Sequence, residues 1–119
     1  MALSWFSTTV DCHDPVALAA FWCEALGLRV VSQTEDEVDI AGNESSFPGL
    51  AFLRVADQKS AKNRLHLDLN PDDQQAEVER LLALGARRVD IGQGEDAEQC
   101  VLADPEGNEF CVLAPQSGW

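Results

Sequence analysis

The chain has 119 residues, and its 21 acidic side chains against 8 basic ones leave a formal net charge of −13. That length suits a single domain, residues 1–119, burying roughly two-thirds of its unfolded surface without disulfide or metal staples. The charge excludes nucleic acid and anionic membrane as partners, since both call for a basic face, and no run of about 18 apolar residues is present to span a bilayer.

The four cysteines, Cys12, Cys23, Cys100 and Cys111, show no CxxC spacing and read as reduced thiols in a cytoplasmic protein. Residues 1–5 lack the charged and apolar regions of a secretory leader, so no targeting segment is expected.

In chain order, residues 5–10 mix aromatic, hydroxyl and β-branched side chains in loose alternation. This predicts a half-buried strand with Trp5, Ser7 and Thr9 on one face. Asp14 and Pro15 then supply a helix N-cap and a first helical position. Leu18, Phe21, Trp22, Ala25 and Leu26 fall on one helix face, and Gly27 stops it. Residues 28–34 and 37–41 predict two short strands joined around Glu35 and Asp36, 42–48 a polar loop, and 50–55 a fourth strand. The module is β-α-β-β-β.

A shift of 58 residues then superposes Asp14 on Asp72, Leu26 on Leu84, Gly27 on Gly85, Arg29 on Arg87 and Gly49 on Gly107. Cap, stop and turn positions repeat, which divides the chain into modules of about 1–57 and 58–119. The second module opens on residues 64–69, where leucines alternate with Arg64, His66 and Asp68. A covering helix takes the leucines, which places the three polar side chains on the concave face. A helix follows near residues 73–84, with Val78, Leu81 and Leu82 on its apolar face. Strands are predicted at 87–91, 99–102 and 109–113, with 92–95 a mobile connection and 115–119 a loose tail. In the last strand Glu109, Cys111 and Leu113 share a face opposite Phe110 and Val112. The expected fold is α+β: two βαβββ modules pair into one curved mixed sheet around a central cavity, with the helices outside.

The run Asp104-Pro105-Glu106-Gly107-Asn108-Glu109-Phe110-Cys111-Val112-Leu113 is a tight turn feeding that last strand. It resembles the closing hairpin of the vicinal oxygen chelate superfamily, whose members include glyoxalases, bleomycin-resistance proteins and ring-cleaving dioxygenases. The likeness is strongest to its small glyoxalase-like proteins. The basic link through Lys59 and Lys62 into Asn63, Arg64, His66 and Asp68 resembles their inter-module joint, and the resemblance covers nearly the whole chain. It implies one metal ligand on the first and last strand of each module, which by count are Ser7, Leu53, His66 and Cys111. Of these only His66 and Cys111 are good donors, whereas a catalytic zinc keeps three protein ligands. No cofactor is therefore expected. If a metal is held, it is a soft zinc or copper ion on His66 and Cys111.

Two readings of function follow from the resemblance. In the first, the chain is a glyoxalase-like protein that binds or sequesters a small organic molecule between its modules, without the family's catalytic metal. Its ligand-binding residues are Trp5, Ser7, Leu53, Arg64, His66 and Cys111, with Trp5 stacking on a flat ligand and Arg64 offering a donor fork to an anion. In the second, it is a lyase, isomerase or dioxygenase of the glyoxalase type. Glu109 is then the base, with His66 and Cys111 beside it. Structural roles compete at each position: His66 can hydrogen-bond Asp68 or Glu109, and Cys111 can pack as a small hydrophobe. A homodimer is expected from the resemblance.

Overall fold

The computed structural model describes residues 5–44, 48–89 and 99–117. It divides into two units, Met1–Lys59 and Ser60–Trp119. In the first, β1 (Ser7–Cys12), α1 (Pro15–Leu26), β2 (Arg29–Gln33), β3 (Glu37–Ala41) and β4 (Gly49–Arg54) build a four-stranded sheet in the order β1-β4-β3-β2. β1 runs parallel to β4, and the other neighbours are antiparallel. In the second, β5 (Asp68–Leu69), α2 (Gln74–Leu84), β6 (Arg87–Arg88), β7 (Cys100–Ala103) and β8 (Glu109–Val112) repeat this topology as β5-β8-β7-β6. The fold is α+β and consists of two βαβββ modules, each with its own four-stranded ladder.

The helices form where their caps direct. Asp14 Oδ1 accepts from Ala17 N at 3.2 Å and Pro15 takes the first helical position. Gly27, at φ 68°, ends α1 in the left-handed region that other residues resist. Asp73 Oδ1 caps α2 in the same way, through Ala76 N at 3.1 Å. α1 lies on β3 and β4, where Leu18, Ala19, Phe21 and Trp22 are buried with Val38, Ile40 and Phe52. Trp22 belongs to this core, edge-on to Phe21 at 5.1 Å between ring centroids. α2 packs on β8, burying Val78 and Leu81 with Phe110 and Val112, while Leu82 is only partly covered.

One expected strand is much shorter than its pattern. Of residues 64–69 only β5 is strand, and Leu65, expected under a helix, is 87 % exposed. The chain ahead of β5 is held by other bonds. Asn63 N donates to Glu109 Oε2 at 3.0 Å and Asn63 Nδ2 donates to the Glu109 carbonyl at 3.3 Å. These contacts satisfy the start of β8, so the ladder begins only at Asp68 opposite Cys111. The first strand is shifted to Ser7–Cys12, leaving Trp5 outside it. The end of the strand expected at 87–91, the connection at 92–95 and the last two residues of the tail lie outside the described residues.

Candidate functional site

The face of the first module's sheet opposite α1 holds a cavity of about 280 Å³. Its floor is set by strand period. The side opposite Val38, Ile40 and Phe52 carries Ser7 and Thr9 from β1, Glu37 and Asp39 from β3, and Ala51 from β4. The register places Ala51 between Thr9 and Asp39, and its single methyl leaves the space above the sheet open. Phe6, Asn43 and Glu44 form part of the wall. At one end a Cβ on Gly49 would come within 2.8 Å of the Ile40 carbonyl oxygen, so a side chain there would push β4 off β3.

Among the described residues the lining contains three carboxylates, Glu37, Asp39 and Glu44, and no Lys or Arg. Glu37 and Asp39 are two residues apart on one strand and so project together. A hydrogen bond to Asp39, then its charge, then partial burial push the Glu37 carboxyl above its ordinary value of 4.5. Asp39 Oδ1 is buried with no hydrogen-bond partner among the described residues. Because the folded-state value is raised, folding takes up a proton between the unfolded value and the folded one. The Glu37 contribution to stability is therefore fully present below the usual glutamate range and is lost as pH rises through the raised value. Glu37→Gln should accordingly raise Tm at pH 7, with the gain vanishing as pH drops below that range. A Tm series against pH checks this, and a gain independent of pH would contradict it.

The second module carries a different cluster. His66 Nδ1 lies 3.0 Å from Asp68 Oδ1 and 3.8 Å from Cys111 Sγ. Cys111 is buried, while His66 and Asp68 are partly exposed. Both neighbours face the same ring nitrogen. A thiol–imidazole–carboxylate relay needs them on opposite nitrogens, so this arrangement does not ready Cys111 for nucleophilic attack. Burial first, then the Asp68 charge and a hydrogen bond to Asp68, push the thiol up from its ordinary value of 9.0. Iodoacetamide at pH 8 with EDTA should leave Cys111 unmodified in the native protein and label it after denaturation. Rapid native labelling, read by peptide mass, would reverse this assignment.

The residues singled out from sequence are distributed as follows. Ser7 lines the first-module cavity. Trp5 is 67 % exposed, with its Nε1 donating to the Ser7 carbonyl, and Phe6 takes the aromatic place in the lining. Leu53 is half-buried on β4 between Asp11 and Glu37 in register, outside the lining. Arg64 is exposed in the bend before β5. Glu109 accepts from Asn63 N through Oε2, so one of its oxygens already serves the fold. Glu37 and Asp39 were not singled out, although their alternation with Val38 and Ile40 carried the signal.

The four-ligand pattern does not fit these residues. Equivalent ladder positions pair Asp11 with Leu53 and Asp68 with Cys111, so His66 corresponds to Thr9, two residues past Ser7. At the Cys111-equivalent position the first module offers the aliphatic side chain of Leu53, and at the His66-equivalent position a hydroxyl.

The model of the glyoxalase-like domain family matches residues 7–113. The chain belongs to that family. Among solved structures, an enzyme of the glyoxalase/bleomycin resistance protein/dioxygenase family from Burkholderia phytofirmans PsJN superposes with a TM-score of 0.72 at 19% identity, over 92% of this chain and 97% of that one. A genomically encoded fosfomycin resistance protein from Listeria monocytogenes gives 0.71 at 15% identity, covering 98% and 94%. A bleomycin-binding protein from Streptomyces verticillus, complexed with copper(II)-bleomycin, gives 0.63 at 18% identity, covering 98% and 99%. No curated protein matches the chain by sequence. At such identities the glyoxalase-like likeness to these structures is one of fold, and the fold is shared by enzymes and binding proteins alike.

Proposed function

We propose that this glyoxalase-like chain binds a small, partly apolar organic molecule bearing a cationic nitrogen, and does so without the family's four-ligand metal. The observation that carries this reading is the first-module cavity of about 280 Å³. Its size is near the lower end of ligand pockets, about 300 Å³, and suits a compact molecule. Val31 and Ala51 supply apolar lining and Phe6 an aromatic face. The charge of the lining selects the ligand. Glu37 and Asp39 repel each other when both are ionised, and a bound ammonium relieves that repulsion. Asp39 Oδ1, buried without a partner, accepts a charge-assisted hydrogen bond from the same group. An anionic ligand meets three carboxylates and, among the described lining residues, no Lys or Arg.

Three molecules of one shape and different charge test the reading. Benzylamine should raise Tm in a dose-dependent way, benzyl alcohol much less, and benzoate not at all. Asp39→Asn, which keeps the side chain's size, should remove the preference for the amine. Equal stabilisation by benzoate, or none by benzylamine, would overturn the proposal.

A further inference from the structure

The lining of the first-module cavity is chemically divided across the sheet. Phe6, Ser7 and Thr9 come from the start of β1 and are uncharged, whereas Glu37 and Asp39 stand on β3. β4 runs between the two groups. Thr9 and Asp39 are both register partners of Ala51, so the hydroxyl and the carboxylate flank one methyl group. Ser7 is a poorer match for Asp39, because it pairs with Gly49 and lies diagonally from it.

The sheet sets the distance between these polar groups. Neighbouring strands are about 4.8 Å apart, so two spacings put the Thr9 and Asp39 backbones about 9.6 Å from each other. Side chains stand roughly perpendicular to a sheet, which carries that spacing up to their tips. Two hydrogen bonds of about 2.9 Å laid along the span leave about 4 Å between a ligand's own polar atoms, and a modest tilt of both bonds leaves about 5 Å. A nitrogen and an oxygen separated by three carbons reach about 5 Å when extended, whereas two carbons allow at most about 3.7 Å. The carbon link then passes over the Ala51 methyl, where an apolar segment needs no polar partner.

Resting on the ammonium binding proposed above, we infer that the cavity takes an aryl amino alcohol whose ammonium and hydroxyl are three carbons apart. The ammonium donates to Asp39, whose Oδ1 is buried without a partner among the described residues. The ligand hydroxyl bonds the Thr9 hydroxyl, which can donate or accept. Phe6 lines the cavity on the same β1 side as Thr9, so an aromatic ring on the hydroxyl-bearing carbon meets it. Thr9 is thereby a specificity-determining residue. It separates an amino alcohol from a plain amine, a choice the carboxylates on β3 do not make.

Isothermal titration of the full chain with 3-phenylpropylamine and with 3-amino-1-phenylpropan-1-ol tests this. The two differ by one hydroxyl, and the amino alcohol should bind about three- to ten-fold more tightly. Thr9→Val, close in shape and at an exposed strand position, should bring the two affinities together, and Thr9→Ser should keep them apart. With the link one carbon shorter, 2-amino-1-phenylethanol should gain little over 2-phenylethylamine, because its hydroxyl falls short of Thr9. Binding of 3-phenylpropylamine with no gain from the hydroxyl would overturn the amino alcohol and leave the ammonium reading standing. A gain that persists in Thr9→Val, or an equal gain in the two-carbon pair, would do the same. Failure of both three-carbon amines to bind would overturn the two readings together.

Discussion

Phe52→Ala should lower the unfolding free energy by about 3–5 kcal/mol. Phe52 is wholly buried on β4, an inner strand flanked by β1 and β3, and it shares the face beneath α1 with Val38 and Ile40. Neighbours on both sides of an inner strand are fixed by ladder hydrogen bonds, so they cannot close over the space the ring leaves. For a domain whose whole stability is about 5–15 kcal/mol, this is a large share. Urea denaturation should show the loss as a lower midpoint with little change in slope. A loss under about 1 kcal/mol would mean that α1 does not hold β4 as described.

Asp104→Ala should cost about 3 kcal/mol, although the residue lies in a turn. Its side chain is 1 % exposed. Asp104 Oδ1 accepts from Glu106 N and Asn108 N, both at 2.9 Å, and the Asn108 amide nitrogen bridges both carboxylate oxygens at 3.1 and 3.0 Å. Alanine would leave two backbone donors without their acceptor in a partly buried place, and the turn that leads into β8 would lose its internal brace. Asp104→Asn keeps one oxygen acceptor and should cost about half as much. The same denaturation experiment orders the three proteins. An alanine variant as stable as the parent would show that the backbone pair Asp104 N to Asn108 O and Gly107 N to Asp104 O, at 2.9 and 2.8 Å, suffices alone.

The turn at Asp104 was readable because its chemistry is local: Asp, Pro and Gly each impose a backbone preference within four residues. The helix ends were readable for the same reason. Asp14, Pro15 and Gly27 act on their own helix, and the recurrence of such residues exposed the repeated module. Strand alternation set Phe110 and Val112 opposite Glu109, and both are buried where α2 packs on β8. Where alternation competed with a specific side-chain bond, it failed. The leucines of residues 64–69 promised a long strand, but Asn63 binding to Glu109 shortened it and left Leu65 exposed.

Site residues follow the same division. His66 and Cys111 could be named from position in a pattern, and Asp68 was visible beside His66 as a hydrogen-bond partner. That polar atoms of all three side chains converge within 4.8 Å depends on the β5–β8 register, which no local rule specifies. The first-module cavity is further from the sequence. It exists because a small residue, Ala51, falls between Thr9 and Asp39 across three strands, a consequence of pairing between segments more than 40 residues apart in β1 and β4.

The most direct test of ligand binding at the first-module cavity is a benzylamine titration of the isotopically labelled chain, followed by amide NMR shifts. The account predicts saturable shifts centred on Thr9, Asp39 and Ala51, absent with benzoate and lost in Asp39→Asn. Shifts that leave these three amides unmoved at saturating benzylamine, or that benzoate reproduces, would contradict it.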